Sequence, residues 1–364
     1  MARDTVWTAA AARLLSLPFR LRRARPFTPP QRVLILKPCC LSQVLLTTPL
    51  LAALQITFPQ ARFHWAISDW ARPAIAGNPR VRELINTGTV GLADGRWADV
   101  IKLARHLRTF NYDTCFIPSH SSTLALTAWL AGIPQRIGLD ANGRGFAHTI
   151  PVRSSADRLH TAERYLSLAY AVGADPDLKS ELEFYPPDSE RTAITQLLVE
   201  QIDWLGETPL VIMHPGGGRN PVTTDPAKQW PVERYARLAN HLARHYQATL
   251  VLVGNAEDKP LTAALTGLIS TPAYDLAGQL SLARLGALCE VADLYVGNDT
   301  GPTQVAAAVG CPTLAIFGPG NPAASGPYRQ KGQVIALQQP EGVAVVEAAT
   351  AVDELLAKAE NGVK

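Results

Sequence analysis

Short apolar segments alternate with longer amphipathic segments along the chain from residue 32 onward. Residues 32–37, 210–214 and 313–317 are examples of the short runs, and aliphatic residues dominate each of them. A strand that is buried on both faces has this continuous apolar character, whereas the longer segments repeat apolar residues at helical spacing. The alternation therefore predicts an α/β protein with parallel sheets and crossover helices.

The alternation is interrupted between residues 174 and 189, where proline and charged residues occur without clear periodicity. A chain of 364 residues is too long for one small core, so we expect two domains. We predict a basic extension over residues 1–30, a first α/β domain over 31–185 and a second over 186–364. Packing of the last helix on the first domain is an alternative to its packing on the second.

The composition is that of a folded globular protein, with 47% hydrophobic and 18% charged residues. No apolar run reaches the roughly 18–20 residues that a membrane-spanning helix needs. The five cysteines are scattered, without a C-x-x-C pair or a metal-ligand spacing. This usage predicts reduced thiols, a cytoplasmic protein and no metal site.

Basic residues are concentrated at the N-terminus. Residues 1–32 hold seven arginines and one aspartate, although the whole chain carries only +3. The remainder is therefore acidic, and a nucleic-acid-binding protein is not indicated. Residues 4–17 have helical periodicity and arginines follow them, which favours peripheral contact with the inner face of a membrane through residues 4–25. A poorly ordered or domain-packed extension is the alternative interpretation.

Residues 293–304 combine a predicted strand, a polar turn and the start of a helix. The turn contains Asp299 and Thr300, and Gly301-Pro302 begin the helix. Unpaired backbone N–H groups and the helix dipole make such a helix N-terminus suitable for an anion. An ordinary Asp cap followed by proline in the first turn explains the same pattern without a ligand.

Other polar residues of the second half also follow predicted strands. Thr223 and Thr224 offer hydroxyl groups, Lys228 offers a positive charge, and Asp258 follows the strand that ends near residue 253. A lysine, hydroxyls and a helix N-terminus suit a diphosphate, and a carboxylate suits ribose hydroxyls. The glycines at 216–218 match neither a dinucleotide-binding nor a P-loop motif, so a nucleotide-dependent dehydrogenase or NTPase is not indicated.

Five stretches, in order, resemble the ADP-heptose:lipopolysaccharide heptosyltransferase family, glycosyltransferase family 9. The most specific elements are Lys228-Gln-Trp-Pro231 and Asp299-Thr-Gly-Pro302. The similarity spans about residues 32–330. The stretches are residues 33–37 with 44–51, 128–132 with 136–138, 223–224 with 228–231, 299–302 with 306–310, and 317–319.

The resemblance implies a GT-B fold, in which two Rossmann-like domains face each other across a cleft. It also implies inverting transfer of a sugar, without metal or cofactor, from a nucleotide-diphosphate donor that is ADP-linked. The C-terminal domain would hold this donor, and the N-terminal domain a lipid-linked or cell-envelope saccharide acceptor. By the same resemblance, the 223–228 loop meets the donor phosphates, Asp258 the nucleoside, and the 299–301 turn the diphosphate and sugar. The donor-binding residues implied are Thr223, Thr224, Lys228, Asp258, Asp299, Thr300, Gly301 and Gln304.

Two positions depart from the family pattern. Gln43 stands where the family has an aspartate proposed as the general base, and Gln304 stands where it has a histidine. Because glutamine cannot accept a proton, an active enzyme would use another base or depend less on one. His120 follows a strand on the same sheet edge as Gln43, and its pKa suits a base better than that of Asp69, which ends another strand. A solvent-facing loop histidine is the alternative interpretation of His120. Two hypotheses therefore stand, an active glycosyltransferase and a non-catalytic protein that binds a sugar nucleotide or saccharide.

Overall fold

The computed structural model of the protein describes residues 26–92, 95–153, 159–223, 225–328, 333–338 and 342–360. The helix predicted over 4–17, the membrane contact predicted for 4–25, and Thr224 lie outside the described residues. The chain forms two compact units that divide between Ser180 and Glu181. Each unit contains one sheet, and each is described separately below.

The described part of the first unit contains a six-stranded parallel sheet. Its strands are β1 (Arg32–Leu36), β2 (Arg62–Ile67), β3 (Val81–Asn86), β4 (Thr114–Ile117), β5 (Gln135–Leu139) and β6 (Ile150–Val152). Its α-helices are α1 (Leu41–Leu45), α2 (Thr48–Thr57), α3 (Trp97–Arg108), α4 (Ser122–Leu130) and α5 (Thr161–Tyr170). The strands are ordered β3-β2-β1-β4-β5-β6, and every neighbouring pair is parallel.

The second unit repeats this arrangement in its described residues. Its strands are β7 (Leu210–His214), β8 (Thr249–Leu252), β9 (Ala273–Asp275), β10 (Leu294–Asn298), β11 (Thr313–Phe317) and β12 (Val334–Gln338). Its α-helices are α6 (Asp188–Glu200), α7 (Val232–Tyr246), α8 (Lys259–Leu268), α9 (Leu282–Val291), α10 (Gly301–Val309), α11 (Pro322–Ser325) and α12 (Val345–Glu360). The strands are ordered β12-β11-β10-β7-β8-β9.

Both sheets have the Rossmann strand order, in which the first strand of the unit lies beside the fourth. The order reverses between β1 and β4 in the first unit and between β7 and β10 in the second. In open α/β sheets, ligands bind beyond the carboxyl ends of the strands at this switch point. The predicted α/β class with two Rossmann-like units is confirmed, and the topology identifies where each unit would hold a ligand.

The apolar runs of the sequence form strands that are buried on both faces. Every residue of β7, β10 and β11 is buried. The small residues of α10 are buried too, because a helix of alanines and valines can approach a sheet closely. The last helix, α12, contacts α7 and strands β10 to β12, and Val352, Leu355 and Leu356 enter the core beneath it.

Gln43 lies inside the short helix α1. One local feature differs from the sequence predictions. The sulfur atoms of Cys39 and Cys40 are bonded to each other, so the prediction of reduced thiols is wrong for this pair. The other three cysteines are free and buried. Across the described residues, no helix has the length and hydropathy needed to cross a membrane.

Candidate functional site

Asn298, the last residue of β10, connects the strand ends at the second switch point. Its side-chain amide donates hydrogen bonds to the carbonyls of Pro215 (2.9 Å) and Gly216 (3.0 Å). Its side-chain oxygen accepts from the backbone N–H of Trp230 (3.0 Å) and the hydroxyl of Tyr235 (3.1 Å). The side chain is fully buried. Asn298 therefore holds the glycine loop and the Lys228-Gln-Trp-Pro231 segment against β10.

The glycine loop after β7 lies directly against two of the predicted donor-binding residues. A Cβ atom on Gly217, whose φ is +109°, would lie 2.2 Å from Cγ2 of Thr300. A Cβ on Gly216 would lie 2.2 Å from the carboxyl carbon of Asp258. Only glycine permits this approach at either position, and Gly217 also needs the left-handed conformation. The loop therefore exposes backbone close to the start of α10.

Helix α10 begins at Gly301 with Thr300 in an extended conformation before it. The Thr300 side chain makes no capping bond to the helix; its hydroxyl lies 3.3 Å from that of Thr303. Pro302 has no N–H, and the Gln304 N–H donates to the Thr300 carbonyl at 3.4 Å. The Gly301 and Thr303 N–H groups are therefore the donors that this turn would offer to an anion at the positive end of the dipole. Thr300, and not Asp299, is the residue directly before the helix, which differs from the aspartate cap of the alternative interpretation. The anion site itself stays a prediction.

Lys228 and Asp299 form an ion pair beside the same helix end. The Lys228 ammonium lies 2.6 Å from Oδ2 of Asp299, and 31% of the Lys228 side chain is exposed against 8% for Asp299. The same ammonium lies 3.5 Å from the Asp299 carbonyl oxygen. The carboxylate thus anchors a partly exposed cation next to the first turn of α10.

Asp258 is buried, and its carboxylate is committed to the surrounding loops. It accepts the Asn255 backbone N–H at 3.0 Å and lies 3.8 Å from Nε2 of His214. Burial acts to raise the pKa of Asp258, but its interactions with His214, Asn255 and Gly217 outweigh burial, and the pKa is lowered. The carboxylate therefore braces the loops after β7 and β8. The nucleoside contact that the resemblance implies for Asp258 stays a prediction.

Thr223 and Gln304, two other predicted donor-binding residues, differ in their exposure to solvent. Thr223 is exposed, and its hydroxyl accepts a hydrogen bond of 2.9 Å from the Asn220 side chain. Gln304 is buried in α10, where its amide donates to the Ser325 carbonyl at 3.0 Å. The Gln304 side-chain oxygen has no hydrogen-bond partner among the described residues, so it remains available as an acceptor near the helix end.

In the first unit, Gln43 is held by a buried lysine at the end of β1. The ammonium of Lys37, only 4% exposed, donates to the Gln43 side-chain oxygen at 2.9 Å. It also donates to the Pro118 carbonyl (3.1 Å) and the Tyr165 hydroxyl (2.9 Å). The amide at the base position is therefore an acceptor for Lys37 and cannot take a proton from a substrate.

His120 follows β4, the strand next to β1 at the first switch point. Burial is the largest cause that lowers its pKa, and the positive charges of Arg164 and Lys37 lower it further, against an opposing effect of Asp140. His120 is therefore neutral at pH 7. Its Nδ1 is buried and has no hydrogen-bond partner within the described residues. A neutral imidazole at this sheet edge has the protonation state that a general base requires.

The structure thus groups the predicted residues around two switch points. Lys228, Asp258, Asp299, Thr300 and Gly301 surround the ends of β7 and β10. Gln43 and His120 lie at the ends of β1 and β4 in the other unit. No group of three His, Cys, Asp or Glu side chains suited to a metal ion occurs among the described residues.

The sequence is also similar to those of known proteins. Residues 100–351 match the family model described as glycosyltransferase family 9 (heptosyltransferase). Lipopolysaccharide heptosyltransferase 2 of Escherichia coli K12 is 30% identical over 319 residues, which cover 84% of this chain and 88% of that protein.

Solved structures show the same fold. The structure described as E. coli ADP-heptose lps heptosyltransferase II has a TM-score of 0.73 and 26% identity, and the match covers 91% of this chain and all of that one. A glycosyl transferase family 9 protein from Veillonella parvula has a TM-score of 0.79 and 21% identity, with 90% of this chain and 97% of that one covered.

Proposed function

Since the chain belongs to glycosyltransferase family 9, the heptosyltransferase family, we propose that it transfers a heptose from ADP-heptose to a saccharide of the lipopolysaccharide core. The observation that carries the proposal is a group of hydrogen-bond donors at the end of β10. There the uncapped first turn of α10, the Lys228 ammonium and the backbone of the glycine loop lie together. These groups suit a diphosphate that becomes more negative as it leaves a sugar.

The proposed reaction is an inverting displacement. The acceptor hydroxyl forms a bond to the anomeric carbon, the bond from that carbon to the diphosphate oxygen breaks, and the leaving group is ADP. Lys228 and the N-terminus of α10 stabilise the charge on the leaving diphosphate, which supports a mechanism that needs no metal ion. We assign the donor to the second unit and the acceptor to the first, as the resemblance implies.

The proton of the acceptor hydroxyl needs a base, and we propose His120 for it. Gln43 has no basic group, and its amide oxygen is bonded to Lys37. The lowered pKa of His120 keeps its imidazole neutral at pH 7. In this scheme the imidazole takes the proton as the new glycosidic bond forms.

The direct test is turnover. The purified protein is incubated with ADP-heptose and a glycolipid extract that contains incomplete core saccharide. We expect release of ADP and a glycolipid heavier by one heptose, with UDP-sugars as a donor comparison. If samples that bind ADP-heptose release no nucleotide diphosphate with any donor, the transferase proposal is wrong. That outcome would instead support the second candidate, a sugar-nucleotide-binding protein without catalysis, which the glutamine at position 43 favours.

A further inference from the structure

Basic side chains meet at the carboxyl edge of the first sheet, outside the donor site. Lys37 leaves β1, His120 follows β4, and Arg164 lies on α5 next to Tyr165, whose hydroxyl accepts from Lys37 at 2.9 Å. The positive charges of Lys37 and Arg164 both lower the pKa of His120. We call Lys37, His120 and Arg164 the basic cluster.

Lys37 is buried among neutral partners. Its three hydrogen bonds go to an amide oxygen, a peptide carbonyl and a phenol, and its ammonium also lies 4.7 Å from the centre of the Tyr165 ring. No carboxylate among the described residues pairs with it. A buried charge without an opposite charge is unfavourable, so an anion beside Lys37 would improve the electrostatics of this edge.

Arg164 and His120 each have a buried nitrogen that makes no hydrogen bond. Nε of Arg164 and Nδ1 of His120 lack partners among the described residues, although Nη2 of Arg164 donates to the Thr161 hydroxyl at 2.9 Å. Buried polar atoms of side chains are normally satisfied in folded proteins. These two nitrogens, on residues that interact electrostatically with each other, therefore indicate hydrogen-bond acceptors that the described residues do not supply.

Asp140, whose negative charge raises the pKa of His120, already has hydrogen-bond and ion-pair partners. Its carboxylate accepts the Gly145 backbone N–H at 2.8 Å and lies 3.4 Å from Nε of the exposed Arg153. His148, the other titratable neighbour, has a pKa lowered to about 4, chiefly by burial, and is neutral at pH 7. Within the part of the chain that the structure describes, no carboxylate therefore forms an ion pair with Lys37 or Arg164.

We infer that the basic cluster is an oxyanion site that holds a phosphate or carboxylate substituent of the acceptor saccharide. This inference rests on the proposed function, because that proposal assigns the acceptor to the first unit. The ammonium and the guanidinium supply charge-assisted hydrogen bonds, and both groups suit either anion. The negative charge would also raise the basicity of His120, so an acceptor that carries the anion would activate the base next to it.

The test follows the His120 ring by NMR in the full-length protein. Inorganic phosphate and glucuronate are titrated separately, to distinguish a phosphate site from a carboxylate site. We expect a saturable shift of the His120 ring signals with at least one anion, and a higher pKa of His120 when that anion is bound. Arg164→Gln should weaken this binding at least tenfold. Arg105→Gln, which removes an exposed charge from α3, should change it less than twofold.

Lys37→Met is a second variant and should weaken anion binding in the same way. Because Arg164 is only half-buried, we expect Arg164→Gln to fold. This variant therefore decides the test even if Lys37→Met does not fold. Absence of a saturable shift with both anions, or equal affinity in Arg164→Gln, overturns the inference. ADP binding is measured on the same samples. Lost anion binding with ADP binding intact refutes only the oxyanion site, whereas a protein that binds no ADP refutes the proposed function.

Discussion

The ammonium of Lys228 lies 2.6 Å from the carboxylate of Asp299, although 71 residues separate them in the chain. Asp299 is the second residue before helix α10, so the pair places a cation at the helix N-terminus. The carboxylate fixes the lysine in position, and the exposed side of the ammonium remains open to a ligand. This pair is the most direct link between the fold and the proposed donor site.

Removal of the Lys228 charge should weaken donor binding. In Lys228→Met we expect ADP to bind about tenfold to a hundredfold more weakly, since a hydrogen bond to a charged group contributes roughly 1.5–3 kcal/mol. Isothermal titration calorimetry measures the affinity. The control is Lys358→Met, which removes an exposed lysine that pairs with Glu354 on α12 and should leave ADP affinity unchanged. Equal affinities in the two variants would remove Lys228 from the site.

The glycine loop should not tolerate a side chain at position 217. Gly217→Ala places a methyl group 2.2 Å from Cγ2 of Thr300 and forces alanine into a φ of +109°. We expect a loss of about 2 kcal/mol or more in unfolding free energy and weaker ADP binding, because the loop must move away from α10. Denaturant unfolding and calorimetry measure both effects.

A second glycine provides the matched control. Gly267 lies within helix α8, and a Cβ there would meet no atom within 4 Å. Gly267→Ala should therefore be neutral or stabilise the protein by up to about 1 kcal/mol. If Gly217→Ala behaves like Gly267→Ala, the close approach of the loop to Thr300 has no consequence for stability.

His120→Ala should reduce turnover with donor binding unchanged. General acid–base groups contribute about 10²–10⁴-fold, so we expect a decrease of at least tenfold in kcat. The pKa of His120 lies below the ordinary value of 6.5, and the base must be unprotonated. The value of kcat/KM, which reports the free enzyme, should therefore stay above half of its maximum at pH 6.5 and decrease at more acidic pH. Steady-state kinetics over pH 5 to 8 measure this profile.

Gln43→Asp separates the role of His120 from a structural one. The new carboxylate would lie beside Lys37, whose ammonium is 2.9 Å from the present side-chain oxygen. In the His120→Ala background, this carboxylate should restore part of the lost turnover by acting as the base. A His120→Ala variant with the wild-type rate would exclude the histidine from proton transfer.

His148 should make the stability of the protein depend on pH. Its pKa is about 4 in the folded protein against an ordinary 6.5, chiefly because of burial. The unfolded chain therefore binds the proton more tightly, and stability is lost as the pH falls from 6.5 towards 4. At pH 5 we expect the free energy of unfolding to be roughly 2 kcal/mol lower than at pH 7.

Urea unfolding at pH 7 and pH 5 measures this loss. Between the two pH values, His148→Gln should lose less unfolding free energy than the wild type does, and the difference should be roughly 2 kcal/mol. His106→Gln, an exposed histidine on α3, should keep the wild-type pH dependence. The comparison concerns the change with pH, so it holds even where His148→Gln lowers stability at both values. If the stability of His148→Gln changes with pH as much as that of the wild type, His148 is not the cause of the pH dependence.

Local patterns in the sequence were sufficient to predict the architecture. Strands buried on both faces are continuous apolar runs, so β7, β10 and β11 were recognisable before any contact was known. The turn before α10 was predictable for the same reason, because a strand, a polar turn and a Gly-Pro helix start are neighbours in the chain. Site roles that came from the resemblance, such as the Asp258 nucleoside contact, remain predictions.

Tertiary structure alone decided which side chains meet. Lys37 and Tyr165 are 128 residues apart and bond at 2.9 Å, and Asn298 joins two loops that precede it by more than 60 residues. Periodicity describes which face of an element is buried, but strand order determines which strand ends become neighbours. The pairing of Lys228 with Asp299, the burial of Asp258 and the basic cluster therefore became visible only once the strands were placed side by side.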